Sequence, residues 1–198
     1  MARNGNMNHP KRGSSIVVEP IKSLKAIAQI KARLAGSPRD YALFVMGINT
    51  GLRAGDLLSL TAGEVRAILA DPDGKARPQE KTSKLGRLTP GPAVCEALER
   101  LLATREYADD ERIFQGQRGP ITKYWLWALV KGWCADAGLR GNYGTHTLRK
   151  TFGYHQRVTY GVDIPTLMTI FNHSTQRQTL DYLCIQPEEI RSVYANEL

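Results

Sequence analysis

His146 and Arg149 stand three residues apart in the segment Thr145-His146-Thr147-Leu148-Arg149-Lys150. On a helix, that spacing puts an imidazole and a guanidinium on one face, where both can reach the same anionic group. Such a pair has the makings of a phosphate clamp. Further along, His173 and Tyr182 are nine positions apart, and Ser174 and Thr175 between them are candidate caps that would set the tyrosine on a short element of its own. A hydroxyl beside a basic cluster is a candidate nucleophile. Taken singly, a His-x-x-Arg pair is ordinary surface helix chemistry and a tyrosine is ordinary packing, so the order and spacing carry the reading.

With Phe171-Asn172 ahead of His173, and Thr50-Gly51-Leu52-Arg53-Ala54-Gly55-Asp56-Leu57-Leu58-Ser59-Leu60 upstream, the ordered set resembles the tyrosine recombinases, also called the phage-integrase family. The resemblance spans roughly residues 20 to 195. It implies that Arg53 is the first of two arginines on a scissile phosphate, with Asp56 in an acidic supporting position. It also implies a mobile hairpin that delivers a catalytic lysine, for which Lys81 of the Lys81-Thr82 dipeptide is the choice and Lys84 the reserve. Two positions depart from the family pattern: Phe-Asn-His stands where Leu-Gly-His is usual, and Gly55 stands where a larger residue is common. Neither change removes a reacting group.

Cleaving a phosphodiester without a metal requires a nucleophile, neutralisation of the nonbridging oxygens and a proton for the leaving 5′ oxygen. Tyr182 can supply the first, although a free phenol pKa of about 10 means that cations or a base must favour phenolate. Arg53 and Arg149 supply the second, because planar guanidinium forks match phosphate oxygens and hold their charge. Lys81 is the expected acid, His146 assists proton transfer and His173 hydrogen-bonds the phosphate. The resulting 3′-phosphotyrosyl link would conserve bond energy, so strands could be rejoined without ATP. No phosphate-binding Gly-x-x-x-x-Gly-Lys-Ser/Thr pattern occurs, nor a carboxylate cluster of the two-metal kind, so neither cofactor nor metal is expected. The expected function is site-specific DNA recombination, by integration, excision or inversion. A type IB topoisomerase-like or resolvase nicking-closing enzyme, and a non-catalytic DNA-binding regulator, are the alternatives.

The elements that must position these groups are mostly helical. Pro20 can open a helix carrying Ile21, Leu24, Ile27, Ile30 and Leu34 at steps of three and four, and Ser37-Pro38 restarts a second through Leu43, Phe44 and Met46. A glycine turn then presents Arg53 at the start of the next helix. Asp71-Pro72-Asp73-Gly74 signals a turn, and residues 76 to 90 read as a β-hairpin with a basic tip that includes Lys84 and Arg87. Helices are predicted from Pro92 and from Thr122, the latter with Trp125 and Trp133 roughly on one core-facing side. The His146/Arg149 helix, a helix from Asp163 and a last one from Pro187 complete the chain. His155, a quarter-turn from the direction of His146, is not enlisted. The expected fold is mainly α with a small β-hairpin, an α+β catalytic domain.

A chain of 198 residues with 42% hydrophobic content supports one well-buried core. Of the formal charge of +8, residues 1 to 35 carry +6. The expected organisation is a basic flexible arm over residues 1–18, containing Lys11 and Arg12, then a catalytic domain over 19–198 with no N-terminal core-binding domain. Lys11, Arg12, Lys84, Arg87 and Lys150 are the expected DNA-backbone contacts, with double-stranded DNA as partner. The resemblance adds a homo-tetramer on DNA, assembled through the C-terminal helix. Three cysteines without a Cys-x-x-Cys pair argue against a disulfide framework and a zinc site. No run of eighteen apolar residues and no apolar leader is present. A cytoplasmic, nucleoid-associated protein is the expectation.

Overall fold

The computed structural model describes residues 18–73 and 88–183. Lys11 and Arg12 of the expected arm, Lys81, Lys84 and Arg87 of the expected hairpin, and the helix expected from Pro187 lie outside the described residues. In chain order the elements are α1 (Leu24–Leu34), α2 (Pro38–Thr50), α3 (Ala54–Ser59), α4 (Ala62–Ala70), α5 (Pro92–Leu102), β1 (Gln115–Gly116), β2 (Gly119–Pro120), α6 (Lys123–Asp136), α7 (Thr145–Val158), α8 (Ile164–Phe171) and α9 (Gln176–Leu183). The small antiparallel sheet among the described residues pairs Gln115 with Pro120 and Gly116 with Gly119. It lies between α5 and α6.

Helix α2 is the centre of the molecule. Every residue from Ala42 to Ile48 is buried, the pattern of a helix covered on all sides. Its main partners are α5, whose stripe of Val94, Ala97, Leu98 and Leu101 follows helical spacing, and α7. Close approach to α7 depends on Gly47, since a Cβ there would lie 2.5 Å from Leu148 Cδ1. Pro38 fits the first turn of α2, and Gly51, at φ 65°, ends it in the left-handed conformation that glycine adopts freely. That turn throws the chain back toward the site.

The first helix starts later than its hydrophobic spacing suggests. The Ser23 hydroxyl accepts from the Ala26 N–H at 3.2 Å, and this cap fixes the start at Leu24. Ile21 enters the core from a non-helical segment instead, with its N–H donating to Thr151 Oγ1 at 2.8 Å. Leu24, expected in the core stripe, is 58% exposed. His155 ties chain segments together: Nε2–H donates to the Ile21 carbonyl at 2.9 Å, and Nδ1 accepts from Thr159 Oγ1 at 2.9 Å. The bonds at the Ile21 N–H and carbonyl fasten the entering chain to α7.

Helix α6 corrects a second expectation. Trp133 is buried, edge-on to Phe44 at 5.7 Å, but Trp125 is 60% exposed. Eight residues at about 100° each leave the two rings roughly 80° apart, enough to turn one outward. Tyr124 and Trp127 are also exposed and stack on each other at 5.8 Å. The Cys134 thiol is pushed up to about 12 by burial, which leaves it a packing group rather than a reactive one. A second, smaller core of Phe152, Leu167, Phe171 and Leu183 joins α7, α8 and α9, and Tyr182 packs against it. Each of these side chains contributes about 1.5–3 kcal/mol by burial, which holds the last two helices onto α7. No helix among the described residues is long and apolar enough to cross a membrane.

Candidate active site

Arg149 is the hub. It lies on α7 with only 6% of its surface exposed, and its guanidinium donates to two carbonyls, those of Gly51 and, at 2.8 Å, Phe171. The same group stacks over the Phe171 ring at 4.6 Å. A guanidinium has five N–H donors, so beyond the two carbonyls and a hydrogen bond with Tyr182 it keeps donors for a further acceptor. The turn after α2 and the end of α8 are thus pinned to one cation. Burial, the largest influence, lowers its pKa, and Tyr182 and Asp56 act against the drop. A guanidinium remains charged regardless.

Arg53 precedes α3 as its N-cap residue and is exposed. Its charge acts on His146, Arg149 and His173, which puts it within electrostatic range of the second arginine. Asp56, in the first turn of α3, acts on the Arg149 guanidinium.

His146, one turn before Arg149 on α7, has Nδ1 3.4 Å from Tyr182 Oη, and the two rings meet edge to face at 6.3 Å. The distance is at the long end of the hydrogen-bond range and within reach of proton transfer after a small ring rotation. His146 has its pKa lowered, first by burial and then by Arg149, Lys150, Arg53 and Lys123. A neutral imidazole can accept a proton from a phenol. His173 follows Asn172, which caps α8 in the left-handed region at φ 51° and turns the chain toward the cluster. Its ring lies 5.5 Å from that of Tyr182. Burial, then Arg149 and Arg53, lower its pKa as well.

Tyr182 rides on α9, which Thr175 caps by accepting from the Gln178 N–H at 3.3 Å while the Gln178 side chain accepts from the Ser174 N–H at 3.1 Å. The ring is half-buried between Phe171 at 5.3 Å, His173 and His146. Arg149 and Lys150 approach its face, at 5.8 and 5.2 Å from the centroid. Lys150, expected among outward DNA contacts, is instead buried against this ring, because its position on α7 faces α9. Arg53, His146, Arg149, His173 and Tyr182 are therefore brought together from α3, α7, the α8–α9 turn and α9.

Matches with known proteins agree with this geometry. The phage integrase family matches residues 20–189. The chain belongs to that family. It is 34% identical over 185 residues to the probable integrase/recombinase YoeC of Bacillus subtilis (strain 168), covering 90% of this chain and 96% of that protein. To tyrosine recombinase XerD of Corynebacterium glutamicum it is 28% identical over 159 residues, covering 79% of this chain and 51% of that protein. The chain thus spans nearly all of the first and about half of the second. A crystal structure of XerA recombinase superposes with a TM-score of 0.67 at 20% identity, covering 94% of this chain and 65% of that one. The Tn1549 transposon integrase in complex with circular intermediate DNA gives 0.63 at 18% identity, covering 87% and 65%. At these identities the superpositions establish the tyrosine recombinase catalytic fold. Family membership makes the reaction class that of the tyrosine-type site-specific recombinases.

Two neighbours of the site escaped the sequence reading. Lys123, the first residue of α6, reaches the cluster across Gly55: a Cβ at Gly55 would lie 3.3 Å from Lys123 Cε. A cation at a helix N-terminus opposes the macrodipole, and that local cost was the available signal. Thr179, fully buried on α9, lies one turn before Tyr182 and makes a 2.9 Å hydrogen bond between Oγ1 and His173 Nδ1. Only its spacing of three from Tyr182 hinted at a shared face.

Proposed function

We propose that Tyr182 attacks a DNA phosphodiester, that a 3′-phosphotyrosyl intermediate forms, and that a 5′ hydroxyl released or presented by another strand reverses the step. The observation carrying this assignment is the approach of Tyr182 Oη to His146 Nδ1 beside the two guanidiniums. In the first step the phenol proton passes to neutral His146 and the oxygen bonds to phosphorus. Arg149, through its uncommitted N–H groups, and Arg53 neutralise the nonbridging oxygens as charge builds there. His173 donates one further hydrogen bond to them. Asp56 steadies the arginine pair. The leaving 5′ oxygen takes its proton from Lys81, or from Lys84 if that residue occupies the position.

Double-stranded DNA is the proposed substrate, with Lys11, Arg12, Lys84 and Arg87 tracking its backbone. The stripe Lys123, Tyr124, Trp127 and Lys131 extends outward from the cluster at helical spacing, and Lys131 sits 4.7 Å over the Trp127 ring. Exposed rings flanked by cations suit a phosphate-deoxyribose surface. Assembly of four copies through residues 187–198 belongs to the same proposal.

The test uses a nicked duplex selected from random-sequence DNA by its binding to the full chain. Trapping on it should yield a covalent protein-DNA adduct with the natural chain, and none with Tyr182→Phe, while duplex affinity is unchanged because one phenol oxygen is all that is removed. An adduct that persists in Tyr182→Phe would overturn the nucleophile assignment and turn attention to Tyr194.

A further inference from the structure

We propose that Thr179 is a positioning residue of the active site: its buried hydroxyl donates to Nδ1 of His173 and so holds that imidazole in the Nε2–H form, with a hydrogen-bond donor facing the arginine cluster. This rests on the phosphate-binding role of His173 proposed above. The direction of the bond follows from elimination. Threonine hydroxyls within helices commonly donate to the carbonyl one turn back, as Thr151 does to Thr147 at 2.7 Å and Thr169 does to Pro165 at 3.1 Å. Thr179 is fully buried, and its recorded hydroxyl partner among the described residues is His173 Nδ1 instead. A hydroxyl proton with no acceptor in the interior costs the full desolvation of that group. The proton is therefore directed to Nδ1, which must be the unprotonated nitrogen, and the ring proton goes to Nε2.

Two consequences follow for the site. First, the bond spans the α8–α9 turn, so the contact that orients His173 also seats the helix that carries Tyr182 one turn later. Nucleophile and phosphate ligand are set by a single hydroxyl. Second, protonating His173 would place a proton on Nδ1 against the Thr179 donor, so the hydroxyl favours the neutral ring. The charged groups facing His173 from the other elements act in the same direction: Arg149 on α7 and Arg53 ahead of α3. Tyr182, from α9, is a further titratable group beside it, with its ring 5.5 Å from that of His173, and His146 meets the same tyrosine from α7.

The experiment compares the natural chain with Thr179→Val, which keeps the shape and loses the hydroxyl, and Thr179→Ser, which keeps the hydroxyl. Imidazole-labelled protein without DNA is followed by two-bond proton–nitrogen correlation spectra across pH. The natural chain and Thr179→Ser should show His173 as the Nε2–H form. Thr179→Val should show both forms, with a titration midpoint raised toward that of an ordinary histidine. On the nicked duplex, Thr179→Val should form adduct about tenfold more slowly at saturating protein, the rate equivalent of one net hydrogen bond, with duplex affinity retained and the rate recovered in Thr179→Ser. An Nδ1–H form in the natural chain overturns the proposal whether or not the valine variant folds. So does a valine variant with an unchanged spectrum. If instead the spectra behave as expected while His173→Ala leaves the adduct rate untouched, Thr179 does orient the ring and it is the phosphate role of His173 that fails.

Discussion

Replacing Arg149 should damage the fold and the chemistry together, and the two losses can be separated. In Arg149→Ala, the carbonyls of Gly51 and Phe171 lose their donors inside the protein. Each buried acceptor left unpaired costs about 1–3 kcal/mol, so the variant should lose about 2–6 kcal/mol, a large share of the ~5–15 kcal/mol typical of a domain. Arg149→Lys keeps the charge, but one ammonium on a flexible stem cannot serve both carbonyls in the geometry of a planar fork. It should lose roughly half as much stability. Urea unfolding measures this directly: with a slope of about 2 kcal/mol per molar, the alanine midpoint should fall by about 1 M or more, with the slope itself unchanged. Adduct formation, assayed in the absence of urea, should fall by about 10²-fold or more in both variants, since a point charge does not replace the phosphate fork. An alanine midpoint within about 0.2 M of the natural chain would refute the structural half of the argument. A lysine variant with near-natural adduct rates would refute the catalytic half.

Two other outcomes are expected. Asn172→Gly should leave thermal unfolding within a few tenths of a kcal/mol of the natural chain, whereas Asn172→Val should lose about 1–2 kcal/mol, because a β-branched residue is strained at the left-handed cap; equal midpoints for the two would contradict the cap reading. Because His146 and His173 both have lowered pKa values in the fold, the folded state binds fewer protons than the unfolded chain as pH falls below about 6.5. Their contribution to stability is therefore complete above that pH and is lost as pH falls through the folded values. Urea titrations at stepped pH should show this slope shrinking in a His146→Ala, His173→Ala double variant, and an undiminished slope would show that other groups carry it.

The residues that the fold gathers at the candidate site were legible in the sequence because chemistry constrains type and spacing together. His146 and Arg149 at a step of three needed only a helix to share a face, and the glycine before Arg53 needed only a turn. Helix stripes such as Val94, Ala97, Leu98 and Leu101 were equally plain. The failures have a common physical source. Ser23 overrode Pro20 as a helix start, because a side-chain cap satisfies a donor that a proline merely lacks. Trp125 could not be told from Trp133 by hydrophobicity, since an eight-residue step leaves a residual angle that only packing resolves. Lys150 looked like an outward cation, and the position of α9 is what buries it. Thr179 was invisible because its meaning lies in a bond across a turn.

The two departures from the family pattern are accounted for by what surrounds them. A glycine ahead of the second site histidine would supply the left-handed cap of α8 at no steric cost. Asparagine is the residue that tolerates that conformation next best, and here its N–H still reaches the carbonyls of Met168 and Thr169. The direction of His173 is preserved. At Gly55 the missing side chain makes room for Lys123, whose cation joins the group that depresses the His146 pKa. A larger residue there would meet Lys123 Cε at 3.3 Å or less, and the flexible lysine would have to move off. The glycine thus exchanges packing on the arginine-bearing helix for a cation from α6, which adds the smallest of the influences that lower the His146 pKa, after burial, Arg149, Lys150 and Arg53.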